Sequence, residues 1–84
     1  MKILWADEAW QDYLWWERNN KKIREKINTL IEDIGRHPFA GLGKPEPLKK
    51  NWTGYWSRRI TKEHRLTYKF EKGVLLVAQC RYHY

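Results

Sequence analysis

YWSRRITKEHRLTYKFEKGVLLVAQCRY, the run from Tyr55 to Tyr82, is the stretch that decides the fold. It divides into three strand-like segments, residues 55–61, 64–70 and 74–82, rich in aromatic and branched side chains. The breaks between them, Lys62-Glu63 and Glu71-Lys72-Gly73, are short and carry hairpin-turn chemistry. Upstream, Lys2-Ile3-Leu4-Trp5 reads as a further strand. Asp7 is a candidate cap for a helix over residues 8–18, with Trp10, Tyr13, Leu14 and Trp16 as its apolar stripe. Asn19-Asn20 ends that helix and offers a cap to the next. Over residues 21–34, Ile23, Ile27, Leu30, Ile31 and Ile34 fall on one helical face. Gly35 is a natural terminator, and Pro38 bars continuation. The expected order is β-α-α-β-β-β: one α+β domain over residues 1–84, two helices packed as an antiparallel pair on one face of a mainly antiparallel sheet.

Strand parity predicts what the open face of that sheet displays. Leu66, Tyr68 and Phe70 share one side with His64, and Arg65, Thr67 and Lys69 the other. In the last segment Leu76, Ala78, Cys80 and Tyr82 are expected inward, with Gln79, Arg81 and His83 outward. Ser57 and Arg59 oppose Trp56, Arg58 and Ile60. The outward set therefore predicts a basic floor of Arg59, Arg65, Lys69, Arg81 and His83. Trp10, Trp16 and Trp56 are expected in the core, and Cys80 as an inert buried thiol.

Composition agrees with that floor. Seventeen Lys and Arg against ten Asp and Glu leave a net charge of +7, and six Trp and five Tyr make the chain aromatic-rich. A basic, aromatic surface points to a polyanionic partner. One cysteine rules out a disulfide framework and a multi-cysteine metal knuckle. No apolar run approaches the roughly 20 residues of a membrane span, and no signal peptide opens the chain. The expected address is the cytoplasm, with no membrane partner.

Residues 36–54 form a long connection punctuated by Gly41, Gly43, Gly54, Pro38, Pro45 and Pro47. Glu46 lies between two of those prolines, which stiffen its backbone, and beside Lys44, Lys49 and Lys50. A stiff carboxylate, an imidazole at His83 and a guanidinium at Arg65 form a minimal set for RNA cleavage without a metal. A carboxylate accepts the 2′-hydroxyl proton, an imidazole protonates the leaving 5′-oxygen, and a guanidinium stabilises the phosphate. His37, His64 and His83 have no metal-ligand spacing, and no cofactor is implied. Each member also has a plain structural reading: Glu46 as a solvated loop residue, His83 as a surface tail, Arg59 and Arg65 as solvated strand residues. Glu63, in the turn before His64, is a rival base.

Four blocks carry a resemblance that spans the chain: Gly43-Lys44-Pro45-Glu46-Pro47-Leu48-Lys49, Trp56-Ser57-Arg58-Arg59-Ile60-Thr61, Glu63-His64-Arg65-Leu66, and Cys80-Arg81-Tyr82-His83-Tyr84. In these the sequence resembles the YoeB branch of the RelE-type toxins, ribosome-dependent mRNA interferases of toxin–antitoxin pairs. The resemblance implies the RelE-like β-α-α-β-β-β fold and cleavage of mRNA in the ribosomal A site. It implies Glu46 as general base, His83 as general acid and Arg65 on the phosphate. Lys49 and Arg59 would bind phosphate, and Tyr84 would meet the substrate. It further implies a homodimer and an acidic antitoxin whose disordered tail folds onto the toxin. The alternative from another class is a non-catalytic ribosome- or RNA-binding inhibitor of translation.

Overall fold

The structure is a computed structural model, and it describes residues 1–82. The elements are β1 (Lys2–Trp5), α1 (Asp7–Asn19), α2 (Lys21–Arg36), β2 (Glu46–Pro47), a single 3₁₀ turn at Lys50–Trp52, β3 (Trp56–Arg59), β4 (Arg65–Glu71) and β5 (Val74–Gln79). The five strands form one sheet in the order β1-β5-β4-β3-β2, antiparallel except where β1 runs parallel to β5. The expected α+β order therefore holds, with the two-residue β2 added at one edge.

Local chemistry explains most boundaries. The Asn20 side chain accepts the Ile23 N–H at 3.3 Å and caps α2. At α1 the cap is Ala6, with no side-chain bond, and Asp7 lies inside the first turn. Asp7 there interacts favourably with the helix dipole, although it does not cap. Helix α2 runs through Gly35 and stops at His37, whose N–H returns to the Asp33 carbonyl at 2.7 Å. Pro38, and not Gly35, is the effective stop. Lys72 and Gly73, both with positive φ, form the two-residue β4–β5 turn.

The core lies between the helices and the sheet. Ile27, Leu30, Ile31 and Ile34 from α2 meet Leu66, Tyr68, Leu75 and Val77 from the central strands. The parity expected for β5 is corrected here: Leu75, Val77 and Cys80 point inward, not Leu76 and Ala78. Tyr68 pairs with Val77 but Thr67 with Gln79, so Ala78 is an extra residue. That bulge reverses the alternation between Val77 and Cys80. Cys80 is buried, and the burial pushes its thiol up, as expected for an inert group. Trp16 is buried, Trp56 is half-buried, and Trp10 is exposed, contrary to its expected core position. Trp10 instead stacks on Tyr13 and meets Trp5 edge-on at the β1 side of the molecule.

Candidate active site

The connection after α2 is organised by a residue whose role parity alone did not disclose. Arg58 takes the inward side of β3 and is completely buried. Its guanidinium donates to the Asp33 carboxylate (2.6 Å) and to the carbonyls of Leu42 (3.1 Å), Ala40 (2.7 Å) and His37. Its Nε donates to the Tyr68 hydroxyl, which donates in turn to the Pro38 carbonyl. All five guanidinium hydrogens are thereby used, and residues 37–42 wrap around a single side chain. The available signal was an arginine at an apolar parity, between Trp56 and Ile60.

From that knot the chain enters the site. Gly43 has φ +78°, and a Cβ there would lie 3.0–3.1 Å from Leu30, Arg58 and the Arg59 carbonyl. Only glycine fits both the conformation and the space. The Gly43 carbonyl accepts the Arg59 N–H at 2.6 Å, which fastens the connection to β3. Glu46 then pairs with Ser57, Ser57 with Thr67, and Arg59 with Arg65. Period-two alternation puts Glu46, Ser57, Arg59 and Arg65 on the same side of the sheet.

Glu46, Arg59 and Arg65 line one small cleft of about 120 Å³ with Lys44 and Ser57. Among the described residues Glu46 forms no ion pair with these cations, nor do Lys44, Arg59 and Arg65 with any carboxylate. A carboxylate held next to cations yet unpaired keeps its lone pairs available to a proton. Arg65 is anchored by its own turn, donating to the carbonyls of Thr61 (2.8 Å), Lys62 and His64 (both 3.1 Å). Carbonyls orient a guanidinium without neutralising it, so its charge stays available to an anion.

Lys49 lines an adjoining cleft of about 490 Å³ with Glu46, Leu48 and Trp52. Lys44 and Lys50, on either side of the Glu46 segment, both adopt positive φ, as does Tyr82. Left-handed backbone at non-glycine residues is strained and concentrates at functional segments. His83 and Tyr84, expected as acid and substrate contact, lie outside the described residues. The rival base Glu63 is exposed in the turn and lines neither cleft that Glu46 lines.

The basic floor is smaller than parity predicted. Lys69 pairs with Glu71 at 3.0 Å and lies over Tyr55, away from the cleft. Arg81 follows the β5 bulge and places its guanidinium 3.7 Å from the Trp15 ring of α1. That cation–π contact occupies both Arg81 and Trp15. Among the described residues no group of three or more His, Cys, Asp and Glu side chains comes together. No helix among them is long and apolar enough to cross a membrane.

The fold is that of a toxin family. The family model described as the YoeB-like toxin of bacterial type II toxin–antitoxin systems matches residues 5–84, and the chain belongs to that family. It is 58% identical to Toxin YoeB of Escherichia coli strain K12 over 84 residues, covering 100% of both chains. It superposes on the YoeB/ParE toxin from Agrobacterium tumefaciens with a TM-score of 0.96 at 55% identity, covering 100% of each. Against YoeB in the YoeB–YefM complex from Staphylococcus aureus the TM-score is 0.94 at 46% identity, covering 100% of this chain and 98% of that one. The Staphylococcus protein has also been solved as a YoeB dimer.

Proposed function

We propose that this toxin is an endoribonuclease that cuts mRNA in the ribosomal A site and so stops translation in the cytoplasm. One observation carries the reading: the Glu46 carboxylate, which forms no ion pair among the described residues, shares a cleft with Lys44, Arg59 and Arg65. A site built only to hold phosphates gains nothing from a carboxylate, which repels them. A site that moves a proton requires one. Glu46 takes the proton of a 2′-hydroxyl, and the resulting oxygen attacks the adjacent phosphorus. Arg65 stabilises the charge that builds on the phosphate, assisted by Arg59 and Lys49. His83 protonates the departing 5′-oxygen, and Tyr84 contacts the substrate. The products are a 2′,3′-cyclic phosphate and a 5′-hydroxyl, formed without a metal ion. The ribosome supplies orientation by presenting a single-stranded codon in line for attack.

The partners follow the same reading: an acidic antitoxin and a second copy of the chain. The Staphylococcus complex with YefM and the Staphylococcus dimer support both. Ile3, Leu4 and Trp10, all exposed on β1 and α1, are apolar surface suited to a protein partner.

Primer extension on translated mRNA tests the activity. New 5′ ends at A-site codons are expected with the native protein, falling about 10²–10⁴-fold in Glu46→Gln and His83→Gln. Stalled ribosomes on uncut message would replace the nuclease with the non-catalytic inhibitor. Cleavage lost in Glu63→Gln but kept in Glu46→Gln would move the base.

A further inference from the structure

A larger cleft adjoins the small one that Glu46 shares with Arg59 and Arg65. It has a volume of about 650 Å³ and is lined by Lys26, Lys44, Arg59, Lys62 and Arg65 around Gly43. Three of those cations, Lys44, Arg59 and Arg65, also line the Glu46 cleft, so the two are continuous. Lys26 comes from α2 and Lys62 from the turn before β4, and neither lines a cleft that Glu46 lines. No carboxylate lines this space. Five cations around one opening repel each other, and an anion is the species that relieves the repulsion.

We propose that this cleft is a second phosphate subsite, in which Lys26 and Lys62 hold RNA backbone next to the phosphate that Arg65 contacts. The inference rests on the nuclease reading for its register, since it takes the scissile phosphate to lie between Glu46 and Arg65. It adds two residues and a direction for the strand: past Arg59 and Arg65, toward the β3–β4 turn and α2. Lysine suits the task, being a point charge on a flexible stem that grips backbone of any sequence. The width suits it too, because a cleft several times larger than the Glu46 cleft has room for a nucleotide as well as its phosphate.

Binding of a short single-stranded RNA, blocked by 2′-O-methyl groups against cleavage, tests this without requiring catalysis. Affinity is measured across a salt series for the native protein, for Lys26→Ala/Lys62→Ala and for Lys26→Arg/Lys62→Arg. Lys2→Gln/Lys72→Asn removes the same charge at the opposite end of β4. Each phosphate contact to a single strand contributes about 0.7 to the slope of log K against log salt. The alanine pair is expected to flatten that slope by about 1.4. The arginine pair should restore it, and the remote pair should leave it near native.

A second arm measures binding to vacant ribosomes. Loss in the oligonucleotide arm assigns the phosphates to mRNA. Loss only on ribosomes assigns them to ribosomal RNA, with the subsite intact in either case. An unchanged slope in both arms overturns the proposal, as does an equal loss in the remote pair. It also falls if only binding of an acidic antitoxin peptide weakens. Intact cleavage in Glu46→Gln would remove the nuclease mechanism while leaving this readout independent.

Discussion

Arg58 and Asp33, 25 residues apart in sequence, meet in a 2.6 Å ion pair buried between the sheet and the connection that carries Glu46. The pair couples stability to the site, because the segment it holds continues through Gly43 and Lys44 to Glu46. Replacing Arg58 by Leu would strand the Asp33 carboxylate and the carbonyls of His37, Ala40 and Leu42. Removing one partner of a buried pair typically costs about 3–5 kcal/mol. Chemical denaturation should show a loss of about that size. Arg58→Lys should recover little, since an ammonium has three donors where the knot uses five. A native midpoint for Arg58→Leu would show that the knot contributes nothing.

The same pair makes the fold sensitive to acid. The Leu42 N–H, at 2.9 Å, and then the Arg58 guanidinium hold the Asp33 carboxyl below the ordinary carboxylate range. A carboxyl lowered by folding stabilises the native state fully above its unfolded pKa, about 3.9. That contribution disappears as pH falls from there through the lower folded value. Stability measured against pH should therefore drop below about pH 4, and Asp33→Asn should show a shallower drop. An identical acid limb in both proteins would assign the sensitivity to other carboxyls.

Two glycines separate backbone strain from site geometry. Gly43 and Gly73 have nearly equal φ, +78° and +77°, but a Cβ at Gly73 would meet nothing within 4 Å. Gly73→Ala should cost only the left-handed penalty, about 1–2 kcal/mol, and keep cleavage native. Gly43→Ala adds contacts with Leu30, Arg58 and the Arg59 carbonyl, so the Glu46 segment must shift. It should lose more stability and cleave at least tenfold less, because small misplacements of a catalytic group are expensive. Equal cleavage in the two variants would show that Glu46 tolerates the shift.

How far the sequence disclosed all this varied with the range of the interactions concerned. The β4–β5 turn and the Asn20 cap are local, and turn and cap chemistry located them. The Ala78 bulge was hidden because alternation assumes an unbroken ladder, and only the pairing of Thr67 with Gln79 reveals the extra residue. Arg81 left the expected floor for the same reason. Glu46 was legible as a stiff, singular carboxylate, but its cleft depends on β2 pairing with β3 across the eight residues that separate the two strands. Arg58 stood in plain view as a charge on an apolar face. Three of its five acceptors, the carbonyls of His37, Ala40 and Leu42, come from a connection whose path no periodicity describes.

His64 Nδ1 accepts the Tyr82 N–H at 2.7 Å, and the Arg65 N–H donates to the Tyr82 carbonyl at 2.8 Å. The imidazole meets Trp16 edge-on at 4.7 Å, and the Trp16 indole donates to the Cys80 carbonyl at 2.8 Å. The chain is thus tied on both sides at the residue before His83, the proposed acid. His64→Phe keeps a ring against Trp16 and removes the acceptor for Tyr82. Its expected effect is a fall in kcat of about tenfold or more, with KM little changed, since a misplaced acid affects the chemical step and not RNA binding. His64→Gln, which offers a carbonyl oxygen as acceptor, should recover part of the loss. A rise in KM at native kcat would show that His64 holds substrate, not the segment leading to His83.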